Sequence, residues 1–93
     1  MSERETARQV LDALKLAEPK PAQEALPLLN GLIPLVQRGG DQNLEQNLEV
    51  QEARASAFLS ICEVGKALHR GNPIDGLYAA AIAATERWMA LAE

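Results

Sequence analysis

The sequence predicts an all-α protein, and three observations point to this fold class. Apolar residues recur three and four positions apart along four segments of the chain. Capping residues, prolines and glycines separate these segments. Apolar residues make up 47% of the chain but aromatic residues only 3%, which predicts a core made mainly of leucine and alanine. We therefore expect a single domain, residues 1–93, folded as a bundle of four to five helices.

The first helix is predicted over Glu3–Ala17. Ser2 and Glu5 have the S-x-x-E spacing of a capping box, which marks a helix start. Pro19 disfavours a helical conformation at Glu18, so the helix is expected to end there. Five residues of the segment share one apolar stripe: Ala7, Val10, Leu11, Leu14 and Ala17.

The second segment, Ala22–Arg38, contains Pro27 and Pro34. On a helical wheel its apolar residues occupy one half and both prolines the other, so the prolines would bend a helix around the core. The alternative is two short helices, with Pro27 in the first turn of the second. In either case Gly39-Gly40 is expected to end the helix with a left-handed cap.

The third helix is predicted to be long and central, from about Gln42 to His69. Asp41 would cap its start and Gly71 would end it. Such a helix would be about 42 Å long, whereas a compact domain of this size is only about 30 Å across. Its first part should therefore overhang the domain.

The overhanging part carries apolar residues, which favours a second copy of the chain as their cover. A seam with alternating steps of four and three runs along the helix, as in a coiled coil: Leu44, Leu48, Gln51, Ala55, Phe58 and Cys62. A thin leucine–alanine core is also often supplemented by oligomerisation in small domains. We therefore predict a homodimer, and the interface residues are Leu44, Leu48, Val50, Gln51 and Ala55.

The fourth helix is predicted to start at Asn72-Pro73 or at Asp75 and to run to about Ala92. It carries two of the three aromatic residues, Tyr78 and Trp88, followed by Met89. Aromatic residues and methionine are enriched at the centres of interfaces, so these three residues are candidate partner-binding anchors. The alternative is that they fill the core.

The charge of the chain is −4, and four acidic residues without a basic one lie between Asp41 and Glu52. Glu45, Glu49 and Glu52 would follow one exposed helix face, which is either a solvated surface or a docking ridge for a basic partner. An acidic protein without clustered lysine and arginine is not expected to bind nucleic acid through phosphates.

Residues for catalysis or metal binding are scarce. Cys62 and His69 are seven positions apart on one helix face, about 10 Å along the axis, which exceeds the hydrogen-bond reach of a nucleophile and its base. No further ligand set completes a metal site around them. We expect no catalytic, cofactor or metal site; the rival is an enzyme whose site is assembled across the dimer from Cys62, His69 and carboxylates.

A cytoplasmic location is expected. Cys62 is the single cysteine, so no disulfide can form within the chain. No signal-peptide-like apolar region follows the charged first turn. The longest apolar run is eight residues, 77–84, well short of the roughly 20 that span a bilayer.

The sequence therefore predicts a non-enzymatic interaction and regulatory protein that masks a surface of a partner protein. The partner would be a regulator such as a transcription factor, which makes the chain an inhibitor or anti-activator. The alternative is a chaperone or immunity-type protein that masks a secreted effector or toxin. A third alternative is a structural subunit of a larger assembly.

Overall fold

The structure, a computed structural model, describes residues 2–41 and 47–92. These ranges contain four α-helices and no β-strand, which confirms the all-α prediction: α1 (Glu3–Ala17), α2 (Ala22–Asp41), α3 (Leu48–Arg70) and α4 (Leu77–Leu91). Helix α1 packs on α2 and α4, and α3 packs on the same two helices, so the four form a closed square. Within the same two ranges, every helix is too short or too polar to cross a membrane.

Helix α1 has the predicted bounds and the predicted cap. The Ser2 hydroxyl oxygen accepts a hydrogen bond from the backbone N–H of Glu5 at 3.2 Å, which satisfies a helix-end donor. The predicted stripe is buried, with Ala7, Val10 and Leu14 fully out of solvent. Local signals were therefore sufficient for this helix.

Helix α2 is one helix, and the alternative of two short helices does not occur. Pro27 and Pro34 lie inside it, both on the exposed side. The prediction that Gly39-Gly40 ends the helix is wrong, because α2 continues to Asp41. The two glycines instead allow close packing between helices.

Each of these glycines faces a large side chain from another helix. A Cβ atom on Gly39 would lie 2.7 Å from Cζ2 of Trp88 on α4. A Cβ atom on Gly40 would lie 3.1 Å from the guanidinium carbon of Arg54 on α3. Glycine is required at position 39 because a side chain there would displace the indole ring.

Helix α3 begins at Leu48, so the predicted continuous helix from Gln42 is wrong at its N-terminal end. Asn47 has an extended backbone with ψ 117°, and its side-chain oxygen accepts hydrogen bonds from the N–H groups of Glu49 at 2.9 Å and Val50 at 3.3 Å. An N-cap of this kind marks a helix start. Residues 42–46 lie outside the described residues.

The predicted end of α3 is confirmed. Gly71 adopts a left-handed conformation with φ 70°, and the N–H of Asn72 donates to the carbonyl of Ala67 at 2.8 Å. Together with the bond from the Gly71 N–H to the Leu68 carbonyl at 3.4 Å, this is a Schellman motif.

Helix α3 does not overhang the molecule. The bundle is elongated, 40 Å in its longest dimension and 20 Å by 16 Å in the others. The 23 residues of α3 span about 35 Å, which fits within that length. The length of α3 therefore does not by itself require a second chain.

Helix α4 begins later than predicted. Gly76, with φ 77°, precedes its first residue, Leu77, so neither Asn72-Pro73 nor Asp75 opens the helix. Leu77 donates its backbone N–H to the Ile74 carbonyl at 3.0 Å, which closes a turn immediately before α4.

A buried carboxylate joins three helices at one end of the bundle. Glu3 is only 5% exposed. Its Oε2 accepts one hydrogen bond from Nη1 of Arg54 at 2.9 Å and another from Nε1 of Trp88 at 3.0 Å. Both donors are satisfied by one acceptor atom, so α1, α3 and α4 are fixed relative to one another there.

Candidate functional site

Helix α3 divides into a buried and an exposed side. Its buried side is apolar and includes Val50, Ala57, Ile61 and Val64. We call the opposite side the outer face of α3, and all of its residues are exposed: Leu48, Glu52, Ala55, Leu59, Glu63, Lys66 and Arg70. The steps of four and three between these positions place them in one row along the helix.

Two leucines of the outer face are largely in solvent. Leu48 is 70% exposed and Leu59 is 63% exposed. Full burial of a leucine is worth roughly 1.5–3 kcal/mol, so both side chains retain most of that free energy for an intermolecular contact. A single exposed leucine needs no explanation, and Leu16 on α1, 57% exposed, is an example. Leu48 and Leu59 differ from it in that they share one helix face, and Leu59 also lines a groove.

A groove between α2 and α3 adjoins the outer face. Its volume is about 380 Å³, and it is lined by Val36, Gln37, Gln51, Arg54, Ala55, Phe58 and Leu59. We call it the apolar groove. Ala55 and Leu59 belong both to this groove and to the outer face, so one docked surface would contact the two together.

A second groove lies toward the C-terminal end of α3 and has a basic rim. Its volume is about 410 Å³. Apolar residues Leu26, Ile33 and Ile61 form part of its wall, and Lys66 and Arg70 stand at its edge. We call it the basic groove.

Charge changes sign along α3. Glu49 and Glu52 are exposed near its start, and Lys66 and Arg70 are exposed near its end. Among the exposed charges Glu63 is the exception, and its carboxylate forms an exposed ion pair with Lys66 at 3.6 Å. Such exposed pairs contribute little to stability, so Lys66 remains available to an intermolecular carboxylate.

The structure brings together part of the predicted dimer interface. Leu48 and Ala55 lie on the outer face, and half-buried Gln51 lines the apolar groove. The prediction that Val50 lies at the dimer interface is corrected, because Val50 is only 5% exposed and belongs to the core. It lies on the opposite side of α3 from Leu59 and packs within the core of this chain. Leu44 lies outside the described residues.

Two of the predicted partner anchors on α4, Tyr78 and Trp88, are core residues in the structure. Trp88 is fully buried and Tyr78 is 3% exposed, so neither offers a surface to a partner in this structure. The indole N–H of Trp88 is bound to Glu3, and its ring packs where Gly39 has no side chain. Met89 is half-buried and packs against the core. Tyr78 and Trp88 therefore fill the core, which was the alternative to a partner-binding role.

The predicted acidic ridge is partly described. Glu49 and Glu52 are exposed on α3, as a docking ridge requires. Glu45 lies outside the described residues. The ridge therefore belongs to the same helix and the same end as Leu48.

The groups capable of chemistry are dispersed over the described residues. Cys62 and His69 both line the basic groove but remain seven positions apart on one helix. Within residues 2–41 and 47–92, no three histidine, cysteine or acidic side chains converge to hold a metal ion. The buried carboxylate of Glu3 is already bound to Arg54 and Trp88.

Sequence reasoning missed Leu59, the centre of the outer face. The signal was present, because Leu59 is a large apolar residue outside both apolar rows of the third helix. One row is the predicted seam, and the other is Val50, Ala57, Ile61, Val64 and Leu68. An apolar residue that fits no buried stripe of a regular helix is expected on its surface. The hydrogen bonds of Glu3 to Arg54 and Trp88 were also missed, and no local pattern predicts them.

The chain matches no known protein family, no curated protein and no solved structure. The outer face of α3, together with the adjoining apolar groove, is the feature that best supports a function. It combines two exposed leucines with acidic residues near the start of α3 and basic residues near its end.

Proposed function

We propose that this chain is a non-enzymatic protein–protein interaction protein of a regulatory kind, which docks through the outer face of α3. It would cover a surface of a partner protein, such as a transcription regulator, and thereby act as an inhibitor or anti-activator. It would do so in a reducing compartment such as the cytoplasm, as a homodimer whose two copies separate when the partner takes the place of the second copy on this face. Its single cysteine agrees with that compartment.

The observation that carries the proposal is the exposure of Leu48 and Leu59 on one face of α3, with Leu59 also lining the apolar groove. The two leucines would together contribute roughly 2–4 kcal/mol when their exposed fractions, 70% and 63%, are buried. Association of two proteins costs about 4–15 kcal/mol in lost freedom, so the leucines alone do not sustain a complex. The groove wall, including Val36 and Phe58, must be buried with them.

The charges of the face support recognition rather than bulk affinity. Glu49 and Glu52 lie between Leu48 and Leu59 along α3 and would attract a basic surface. Charges at the rim of an interface mainly raise the association rate and exclude wrong partners. The same arrangement serves the alternative role of a chaperone or immunity-type protein, and the identity of the bound partner separates the two roles.

Capture from the native host with matched variants tests the proposal. The tagged wild-type chain, Leu59→Glu and Leu16→Glu are compared by quantitative mass spectrometry of the proteins that co-purify. Leu16 is the matched control, because it is also an exposed leucine but lies on α1. Circular dichroism confirms that all three chains are folded.

The expected result is a partner recovered with the wild type and with Leu16→Glu but lost with Leu59→Glu. One buried leucine changes affinity by roughly ten- to a hundredfold, and a buried glutamate increases that loss. Recovery of the same proteins with all three chains would show that the outer face is not the docking surface. A captured transcription regulator supports the first role, and an exported effector or toxin supports the alternative.

A further inference from the structure

The outer face of α3 carries a charge pattern that is complementary to itself. Acidic Glu52 lies seven residues before Leu59, and basic Lys66 lies seven residues after it. Leu48 lies eleven residues before Leu59, and Arg70 lies eleven residues after it. A face of this kind matches a copy of itself turned end over end.

Two α3 helices packed antiparallel bring the complementary residues of the two copies opposite each other. If the helices cross at Leu59, the residue n positions before Leu59 faces the residue n positions after it on the other copy. Glu52 then faces Lys66, and Leu48 faces Arg70, whose methylene stem can cover it. Glu63, the acidic exception at the basic end, faces uncharged Ala55.

We infer that the occupant of the outer face of α3 is the same face of a second copy, with the two α3 helices antiparallel and crossing at Leu59. The inference rests on the proposed function in one respect, that the outer face docks protein. An isologous pair of this kind repeats every contact twice, because a two-fold axis relates the copies.

The apolar groove supports the same crossing point. Leu59 lines this groove together with Ala55 and Phe58. Helices in contact pack with axes about 8–10 Å apart, so Leu59 of each copy would pack against Leu59 of the other and against the groove that this residue lines. A leucine that is 63% exposed would thereby be buried in both copies.

A parallel arrangement is disfavoured by the same charges. It would place Glu52 opposite Glu52 and Lys66 opposite Lys66, and like charges across an interface are unfavourable. The pattern therefore selects the antiparallel arrangement, and charge reversal can test it.

The first experiment combines light scattering with charge reversal. The monomer mass is 10.1 kDa, and the inference expects twice that mass for the wild type. Glu52→Lys and Lys66→Glu should each weaken the dimer roughly tenfold, because two contacts become repulsive. The double variant Glu52→Lys, Lys66→Glu should restore the wild-type dimerisation constant.

A monomeric wild type at the highest soluble concentration overturns the inference. A dimer that is insensitive to both single reversals also overturns it, since a parallel pair has like charges before and after each reversal. Failure of the double variant to recover, with its helix content unchanged, rejects the Glu52–Lys66 contact.

The second experiment maps the crossing point with introduced cysteines. In a Cys62→Ser background, Leu59→Cys should give a disulfide-linked dimer on oxidation by copper phenanthroline in air. Glu52→Cys alone should not, whereas Glu52→Cys combined with Lys66→Cys should. Leu16→Cys is the control for random collision, and equal cross-linking of Leu16→Cys and Leu59→Cys contradicts the inference.

The inference and the proposed function can fail separately. If the wild type is monomeric but Leu59→Glu still abolishes capture of another protein, the second copy is excluded and the docking role stands. If the antiparallel dimer is found and Leu59→Glu does not affect capture of any other protein, the self-contact stands and partner masking by this face is rejected.

Discussion

Glu3 and Trp88 lie 85 positions apart in the chain, yet the carboxylate Oε2 is 3.0 Å from the indole Nε1. The same oxygen is 2.9 Å from Nη1 of Arg54. One acceptor from the first helix thus satisfies a fully buried donor of the last helix and a mostly buried donor of the third. This cluster closes the bundle at the end where α1 begins.

Removal of the carboxylate is expected to destabilise the fold. Glu3→Ala leaves the Trp88 N–H buried without an acceptor, which should lower the free energy of unfolding by about 1–3 kcal/mol. Glu3→Gln should cost less, because the amide oxygen still accepts one hydrogen bond. Urea unfolding followed by circular dichroism measures both changes.

The control for this prediction is Glu86→Ala, which removes an exposed carboxylate from the middle of α4. Its free energy of unfolding is expected within about 0.5 kcal/mol of the wild type. Equal stabilities for Glu3→Ala and Glu86→Ala would show that the buried hydrogen bonds make no net contribution.

Alanine substitution at two glycines of α2 should change the free energy of unfolding in opposite directions. Gly39→Ala places a Cβ 2.7 Å from the Trp88 ring, and such overpacking typically costs about 1–3 kcal/mol. A Cβ on Gly31 meets nothing within 4 Å, so Gly31→Ala should stabilise by about 0.5–1 kcal/mol through helix propensity. Thermal and urea unfolding of both variants provide the measurement. A stabilising Gly39→Ala would contradict the packing against Trp88.

The helices that the sequence specified correctly are those whose signals are local. Ser2 and Glu5 define the start of α1 within four residues, and Gly71 defines the end of α3 through its left-handed backbone. These interactions depend on positions close in sequence, so periodicity and capping rules suffice. The all-α class was predictable for the same reason.

The errors have a different physical origin, because they concern contacts between distant residues. Gly39 was assigned to a helix end, but its role depends on Trp88 in another helix. Trp88 was a candidate partner anchor, although the buried Glu3 carboxylate binds it in the core. The start of α3 was also misplaced, because Asp41 and Asn47 are both good N-caps and sequence alone does not rank them.

The candidate docking face was predicted only in part. Leu48 and Ala55 were identified by their heptad-like spacing and are exposed. Val50 was added because an overhanging helix was assumed, and the bundle buries it instead. Leu59 lay outside both apolar rows of the third helix, and a search for apolar residues that belong to neither row would have found it.

The Tyr78 hydroxyl is expected to make stability depend on alkaline pH. It is buried and has no hydrogen-bond partner among the residues that the structure describes. Burial, and secondarily the charge of Glu18, raise the pKa of Tyr78 above its usual 10.0. The folded state therefore keeps its proton at a pH where the unfolded state has lost it. The stability contribution of this group is complete below pH 10 and declines as the pH rises further.

Tyr78→Phe isolates this contribution. The variant should be about as stable as the wild type near pH 7, or more stable by roughly 1 kcal/mol, because an unpaired buried hydroxyl is removed. Above pH 10 the wild type should lose up to about 1.4 kcal/mol per pH unit relative to Tyr78→Phe. Urea unfolding at pH 8 and pH 10.5 measures the difference, and parallel stability curves for both chains would contradict the prediction.

Asn47 provides a test of where α3 begins, because the sign of one substitution depends on the answer. In the structure its side chain caps the N–H groups of Glu49 and Val50. Asn47→Ala should therefore lower the free energy of unfolding by about 1 kcal/mol, whereas Asn47→Asp, which keeps an acceptor and suits the helix dipole, should change it by a few tenths. Were position 47 inside a longer helix, alanine would be the better helix former and would raise stability by a few tenths of a kcal/mol. Urea unfolding of the two variants, with amide hydrogen exchange at positions 49 and 50, distinguishes a helix that starts at Leu48 from one that starts earlier.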